Sequence, residues 1–168
     1  EIRVIRSRVL LDERQYDAAV LELRRARALD ERNPDVHFLL ARAYAERGRL
    51  RHAMVNINRA LQISPRDKRF LILKATLHHQ LGEYEQELQY LNTLLAEDPA
   101  DFRLVKMKVE NLVARELYAD ASACVSRFLI HVPGHRRALL LSARFHEQLG
   151  DMAAADRCYR AALVQRSV

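Results

Sequence analysis

Glycine and proline are scarce in this chain, with four of each among 168 residues. Ala, Leu, Arg and Glu dominate instead, a balance that favours helix over strand throughout. An all-α fold is therefore expected. With 49% of residues hydrophobic, the chain can bury a substantial core as one ordinary domain, which excludes a disordered polypeptide. No apolar run reaches the ~18 residues that span a bilayer. No apolar stretch follows a basic start, and the first residue is Glu1. The chain thus reads as a soluble piece of something longer, with any targeting signal outside it and the compartment left open.

Cysteine is nearly absent too. Cys124 and Cys158 stand 34 residues apart, which on the repeat reading below puts them in equivalent places of neighbouring units, about a helix diameter from each other. A disulfide needs Cα atoms within roughly 7 Å, so two free, partly buried thiols are expected. No set of ligand-type residues has metal-site spacing, and no cofactor is implied. Charge of one sign is also missing: 28 basic residues face 22 acidic ones and the signs alternate, so the net +6 argues only weakly for a polyanion partner. Arginine outnumbers lysine 24 to 4, a bias that fits GC-rich coding and a bacterial source, in cytoplasm or periplasm.

What is present is a period. Pro65, Pro99 and Pro133 are spaced by 34, as are Gly48 and Gly82, and Gly150 follows Gly82 at twice that interval. Small residues recur in the same register at Ala19, Ala53, Ala121 and Ala155, interrupted by Glu87, and again at Ala41, Ala75, Val109 and Ala143. Leu61, Leu95, Leu129 and Leu163 form an apolar column, and Tyr16, Leu50, Tyr84, Tyr118 and Met152 another. Each unit holds two apolar-periodic stretches, separated by the glycine and closed by the proline, which describes a helical hairpin. The glycines can take the left-handed conformation that ends a first helix. The prolines fall where a second helix has stopped.

The stretches HFLLARAYAERGRLRHAMVNINRALQISP and ALLLSARFHEQLGDMAAADRCYRAAL resemble tetratricopeptide repeats. Five are read, at residues 1–33, 34–67, 68–101, 102–135 and 136–168, as a single domain. The resemblance implies ten antiparallel helices in a right-handed α-α superhelix, or solenoid. Departures fall at Arg14 and Glu116, which replace the turn glycine, and at Glu31, which replaces a closing proline. Looser turns are expected at the first two. After Leu163 only VQRSV remains, too little for a capping helix, so further repeats, another domain or a partner subunit is expected to cover one or both ends of the parent protein, with end-to-end self-association as a further option. In the third repeat, Lys74 and Glu87 both depart from apolar or small slots and are expected to pair.

In the family resembled, the first helix of each repeat lines a concave groove that holds a peptide or a partner's helix, so the function implied is non-catalytic protein binding. The corresponding rows here are Arg8, Arg42, Thr76, Glu110, Arg144 and Val4, Phe38, Ile72, Lys106, Leu140. An edge row, Glu1, Asp35, Arg69, Arg103, Arg137, runs from acidic to basic. The resemblance implies an acidic, partly apolar protein segment held by Phe38, Ile72 and Leu140 for contact and by Arg42, Arg69, Arg103 and Arg144 for orientation. Phe38 is read either as an exposed anchor or as an inter-repeat packing residue. Lys106 and Glu110 suit an i,i+4 pair.

Other classes fit less well. The lysine and asparagine pairs with which some relatives clamp a C-terminal carboxylate are replaced by Phe38 with Arg42 and Ile72 with Thr76. Seven histidines are present, but none stands at triad or ligand spacing, and His78 and His146 share an aromatic slot with Tyr44, so packing histidines rather than an active site are expected. RNA binding is disfavoured because the acidic third repeat interrupts any phosphate track. A spacer or assembly platform in a bacterial secretion, pilus or polysaccharide-export complex is the alternative, as is use of the outer faces of the second helices, near Arg59 or Gln89.

Overall fold

The computed structural model describes residues 2–164. Among these, ten helices and no strand are present: α1 (Ile2–Asp12), α2 (Tyr16–Leu29), α3 (Pro34–Glu46), α4 (Leu50–Ile63), α5 (Lys68–Gln80), α6 (Tyr84–Glu97), α7 (Phe102–Ala114), α8 (Tyr118–His131), α9 (Arg136–Gln148) and α10 (Met152–Val164). The all-α expectation of paired helices holds. The chain divides into two compact units, residues 1–90 and 91–168.

Local chemistry sets the boundaries of the first helices. First helices begin at side-chain caps, which satisfy amides that have no partner within the helix. Asn33 Oδ1 accepts from Asp35 N at 3.1 Å, Asp67 Oδ1 from Arg69 N at 2.9 Å, and Asp101 Oδ1 from Arg103 N at 2.9 Å. His135 Nδ1 accepts from Ala138 N at 3.2 Å in the same register. First helices end in a left-handed residue, with φ of 67° at Gly48, 74° at Gly82 and 84° at Gly150. Arg14 and Glu116 do the same at φ 60°.

The looser turns expected at those two positions are not found. Gln15 N donates to Leu10 O at 2.8 Å and Leu117 N to Leu112 O at 2.9 Å, matching the 2.8 Å bond from Arg49 N to Tyr44 O at a glycine turn. Flanking packing imposes the turn, and the non-glycine residue carries the backbone strain, on the order of 1 kcal/mol.

In unit 1, α1 to α5 pack consecutively, and the first helices also touch across repeats, α1 on α3 and α3 on α5. Leu23, Leu40, Ile57, Phe70 and Leu77 are buried here, each worth about 1.5–3 kcal/mol of transfer free energy. The alanine columns explain why the helices approach closely: Ala19, Ala41, Ala53 and Ala75 are fully buried. In unit 2, α7 to α10 pack in the same succession around Val105, Val109, Val125, Phe128 and Phe145.

Glu87 and Lys74 take different neighbours from the mutual pair expected. Glu87 is 1% exposed and its Oε2 lies 2.8 Å from His79 Nδ1, whereas Lys74 Nζ lies over the Tyr90 ring, 5.2 Å from its centroid. The alanine slot is too deep for Glu87 to reach outward, and the next turn of α5 supplies the imidazole.

Candidate functional site

The first-helix face of unit 1 carries Val4, Phe38 and Ile72, all half-buried. Phe38 is half-buried and packs against the neighbouring repeat. Its ring lies 5.1 Å from that of Phe70, and it leans on the buried core. Its edge toward solvent is covered in part by the Arg69 guanidinium, which lies 5.7 Å from the Phe38 centroid and 5.2 Å from the Phe70 centroid.

The arginines of this face are engaged by carboxylates of adjacent repeats. Arg42 Nη2 donates to Asp12 Oδ1 at 3.3 Å. Asp35 stands between Arg8, at 3.7 Å, and Arg69, at 3.0 Å. Arg69 also donates to Asp67 at 2.7 Å, and that contact holds the Asp67 carboxyl below the usual range and raises the guanidinium. Three repeats are thus joined by an alternating run, Arg8 to Asp35 to Arg69 to Asp67, and Asp12 with Arg42 forms a separate pair. Carboxylates interleave the arginines, so the face carries much less free positive charge than the sequence rows imply. Glu1, the acidic start of the edge row, lies outside the described residues.

The remaining expected site residues are in unit 2, where Arg103 and Arg144 are exposed and Leu140 is half-buried. Lys106 and Glu110 form the expected i,i+4 pair at 3.5 Å. His78, at the end of α5, is buried, stacked 5.6 Å from Tyr90 and 2.6 Å from Glu83, as fits a packing histidine. Cys124 and Cys158 are free thiols, both half-buried. Burial pushes the Cys124 thiol up, against the pull of Lys108 and Arg127.

The opposite side of unit 1 was less legible. Between α2 and α4, floored by α3, run two cavities of 610 and 460 Å³ that share Arg27, Val55 and Asn56. Four arginines line them, Arg24, Arg27, Arg51 and Arg59, and none meets a carboxylate among the described residues. Arg24 Nη2 donates to the Tyr44 hydroxyl at 2.9 Å and Arg59 Nη1 to Gln62 Oε1 at 3.1 Å. The available signal was the clustering of Arg24, Arg25 and Arg27 on α2.

Two models of one family, described as tetratricopeptide repeat, match the chain, one over residues 10–55 and the other over 56–102 and 106–167. The chain belongs to the tetratricopeptide repeat family. Solved structures agree at the level of fold. A MamA crystal structure shares 13% identity at a TM-score of 0.78, covering 95% of this chain and 94% of its own. MamA from Desulfovibrio magneticus RS-1, residues 41 to the end, shares 14% at 0.79, covering 98% and 93%. YrrB, a tetratricopeptide protein with an unusual peptide-binding site, shares 14% at 0.71, covering 97% and 84%. Among curated proteins no sequence matches. No group of three or more His, Cys, Asp or Glu among the described residues could hold a metal ion.

Proposed function

We propose that the protein is a non-catalytic interaction scaffold whose first-helix face in unit 1 holds a partly apolar segment of a partner protein. Phe38 and Ile72 supply contact area, and Arg42 and Arg69 orient the segment by hydrogen bonding. The observation that carries this reading is the half-buried row Val4, Phe38, Ile72, flanked by guanidinium groups already held by Asp12, Asp35 and Asp67. Side chains fixed in advance lose less entropy when a partner arrives. In unit 2, Leu140 with Arg103 and Arg144 offers the same chemistry. Kinship with a family that includes a peptide-binding protein supports it.

The test is release kinetics of a partner captured by the wild-type chain. Ile72→Gln is expected to speed release severalfold, as truncated anchors do, and Arg42→Gln with Arg69→Gln to weaken binding further. Phe38→Ala serves only beside a thermal melt, because that ring also packs on Phe70. Unchanged release in all of these folded variants overturns the reading.

End-to-end self-association has its own observation. Ile2, Ile5 and Val9 recur along one side of α1 at 83%, 62% and 52% exposure. Sedimentation of the wild type against Ile5→Glu tests it, and a monomer in both cases removes it.

A further inference from the structure

We propose that the outer groove of unit 1, between α2 and α4, is a second binding site, and that it takes an acidic segment of a partner protein in extended form. It lies on the other side of the hairpins from the first-helix face and does not depend on that face being used.

Charge complementarity comes first. Arg24, Arg27, Arg51 and Arg59 line the groove, and Glu31 is the one carboxylate among its lining residues. On the first-helix face every comparable arginine ends on an aspartate. Four arginines without a carboxylate partner among the described residues are therefore gathered in this groove, and a groove wall of low dielectric focuses their charge toward an incoming anion.

The floor decides what kind of anion. His37 is 4% exposed, and its Nε2 lies 2.8 Å from the Glu31 carbonyl oxygen. A carbonyl only accepts, so in the neutral ring Nε2 carries the proton and Nδ1 presents a lone pair. That Nδ1 is buried without a hydrogen-bond partner, as is Asn58 Oδ1, which lines the same cavity. Two buried acceptors need donors. A polypeptide backbone supplies N–H groups to such a floor while its carboxylates meet the arginine rim. Phosphate groups supply only acceptors.

Apolar and aromatic placement agrees. Val55 is 69% exposed at the junction of the two cavities and gives a side chain something to rest on. A single-stranded nucleic acid would need an open ring face for stacking, but Tyr44 is 5% exposed and its ring is occupied by His52 at 5.4 Å.

The probe is a labelled peptide of alternating Glu and Leu, titrated by fluorescence anisotropy against the Gln–Leu peptide and a labelled oligouridylate. Saturable binding of the Glu peptide is expected, weakening as salt rises. Arg27→Glu with Arg59→Glu, both exposed, should lower its affinity by about tenfold or more, and Arg24→Glu with Arg51→Glu should do the same, with melts unchanged. Arg42→Gln with Arg69→Gln should leave it intact, which separates this site from the first-helix face. Asn58→Leu should weaken binding severalfold with no change in the salt dependence, because it removes an acceptor and no charge. The proposal is overturned if the Arg27/Arg59 variant binds the Glu peptide like wild type, or if the Gln peptide binds equally well. Preferential binding of oligouridylate lost in the same variant overturns it in favour of nucleic acid. Self-association of the wild type abolished by those substitutions overturns it in favour of a second copy.

Discussion

Glu87 sits in the position that alanine fills in the other four repeats, and its carboxylate meets His79 Nδ1 at 2.8 Å. His79 is 39% exposed at its side chain while Glu87 is 2%, so the histidine is the wet end of a pair whose acid is buried. Removing the two partners should therefore be unequal. His79→Ala leaves the carboxylate short of a partner and should cost about 1–3 kcal/mol. Adding Glu87→Ala restores the residue native to the slot, so the double variant should be more stable than His79→Ala alone. Urea denaturation of the set decides it. Strict additivity means the contact contributes nothing.

Arg14 and Glu116 hold the left-handed conformation at φ 60° that glycine holds at the other first turns. Arg14→Gly and Glu116→Gly should each stabilise the protein by about 1 kcal/mol. The converse change, Gly48→Ala, should destabilise by a similar amount although an added Cβ would meet nothing within 4 Å, because the cost lies in backbone strain alone. Equal midpoints for Gly48→Ala and the wild type would contradict this.

Glu22, on α2, is buried and receives Arg3 at 2.8 Å and Arg25 at 2.9 Å. Burial alone would raise its carboxyl, but the hydrogen bonds and charge of Arg3 and Arg25 outweigh burial and bring it below the ordinary value of 4.5. A depressed native pKa gives stability that is complete above the unfolded value and is lost as pH falls through the native one. The melting temperature of the wild type should exceed that of Glu22→Gln at neutral pH, and the difference should close below about pH 4. A gap independent of pH would mean that the ionised carboxylate is not what matters.

Asp35 serves Arg8 and Arg69, from the repeats on either side of its own, with a side chain about one-third exposed. Exposed pairs are worth about 0–1 kcal/mol, so Asp35→Asn should change stability by no more than that. It should, however, release Arg8 and leave Arg69 to Asp67 alone, and so raise the affinity of the first-helix face for carboxylate-bearing peptides, an effect that fades with salt. A stability loss well beyond 1 kcal/mol, read by denaturation, would show that the alternating run is structural instead.

The helical hairpins could be read from the chain because they rest on local and repeated chemistry. Gly48, Gly82 and Gly150 end first helices, the prolines follow second helices, and alanine recurs where two helices touch; each of these is written at a fixed interval of 34. The caps Asn33, Asp67, Asp101 and His135 keep the same interval and were legible in principle. Tertiary structure decided which charges are spent. Whether Arg42 or Arg59 is free depends on a carboxylate from another helix, at a distance that no spacing along the chain encodes. So the inner arginines, which the rows made prominent, end on Asp12, Asp35 and Asp67, and the outer arginines line a groove over two buried acceptors. Glu87 and Lys74 went to His79 and Tyr90 for the same reason: repeat chemistry sets the slot, and only packing sets the neighbour.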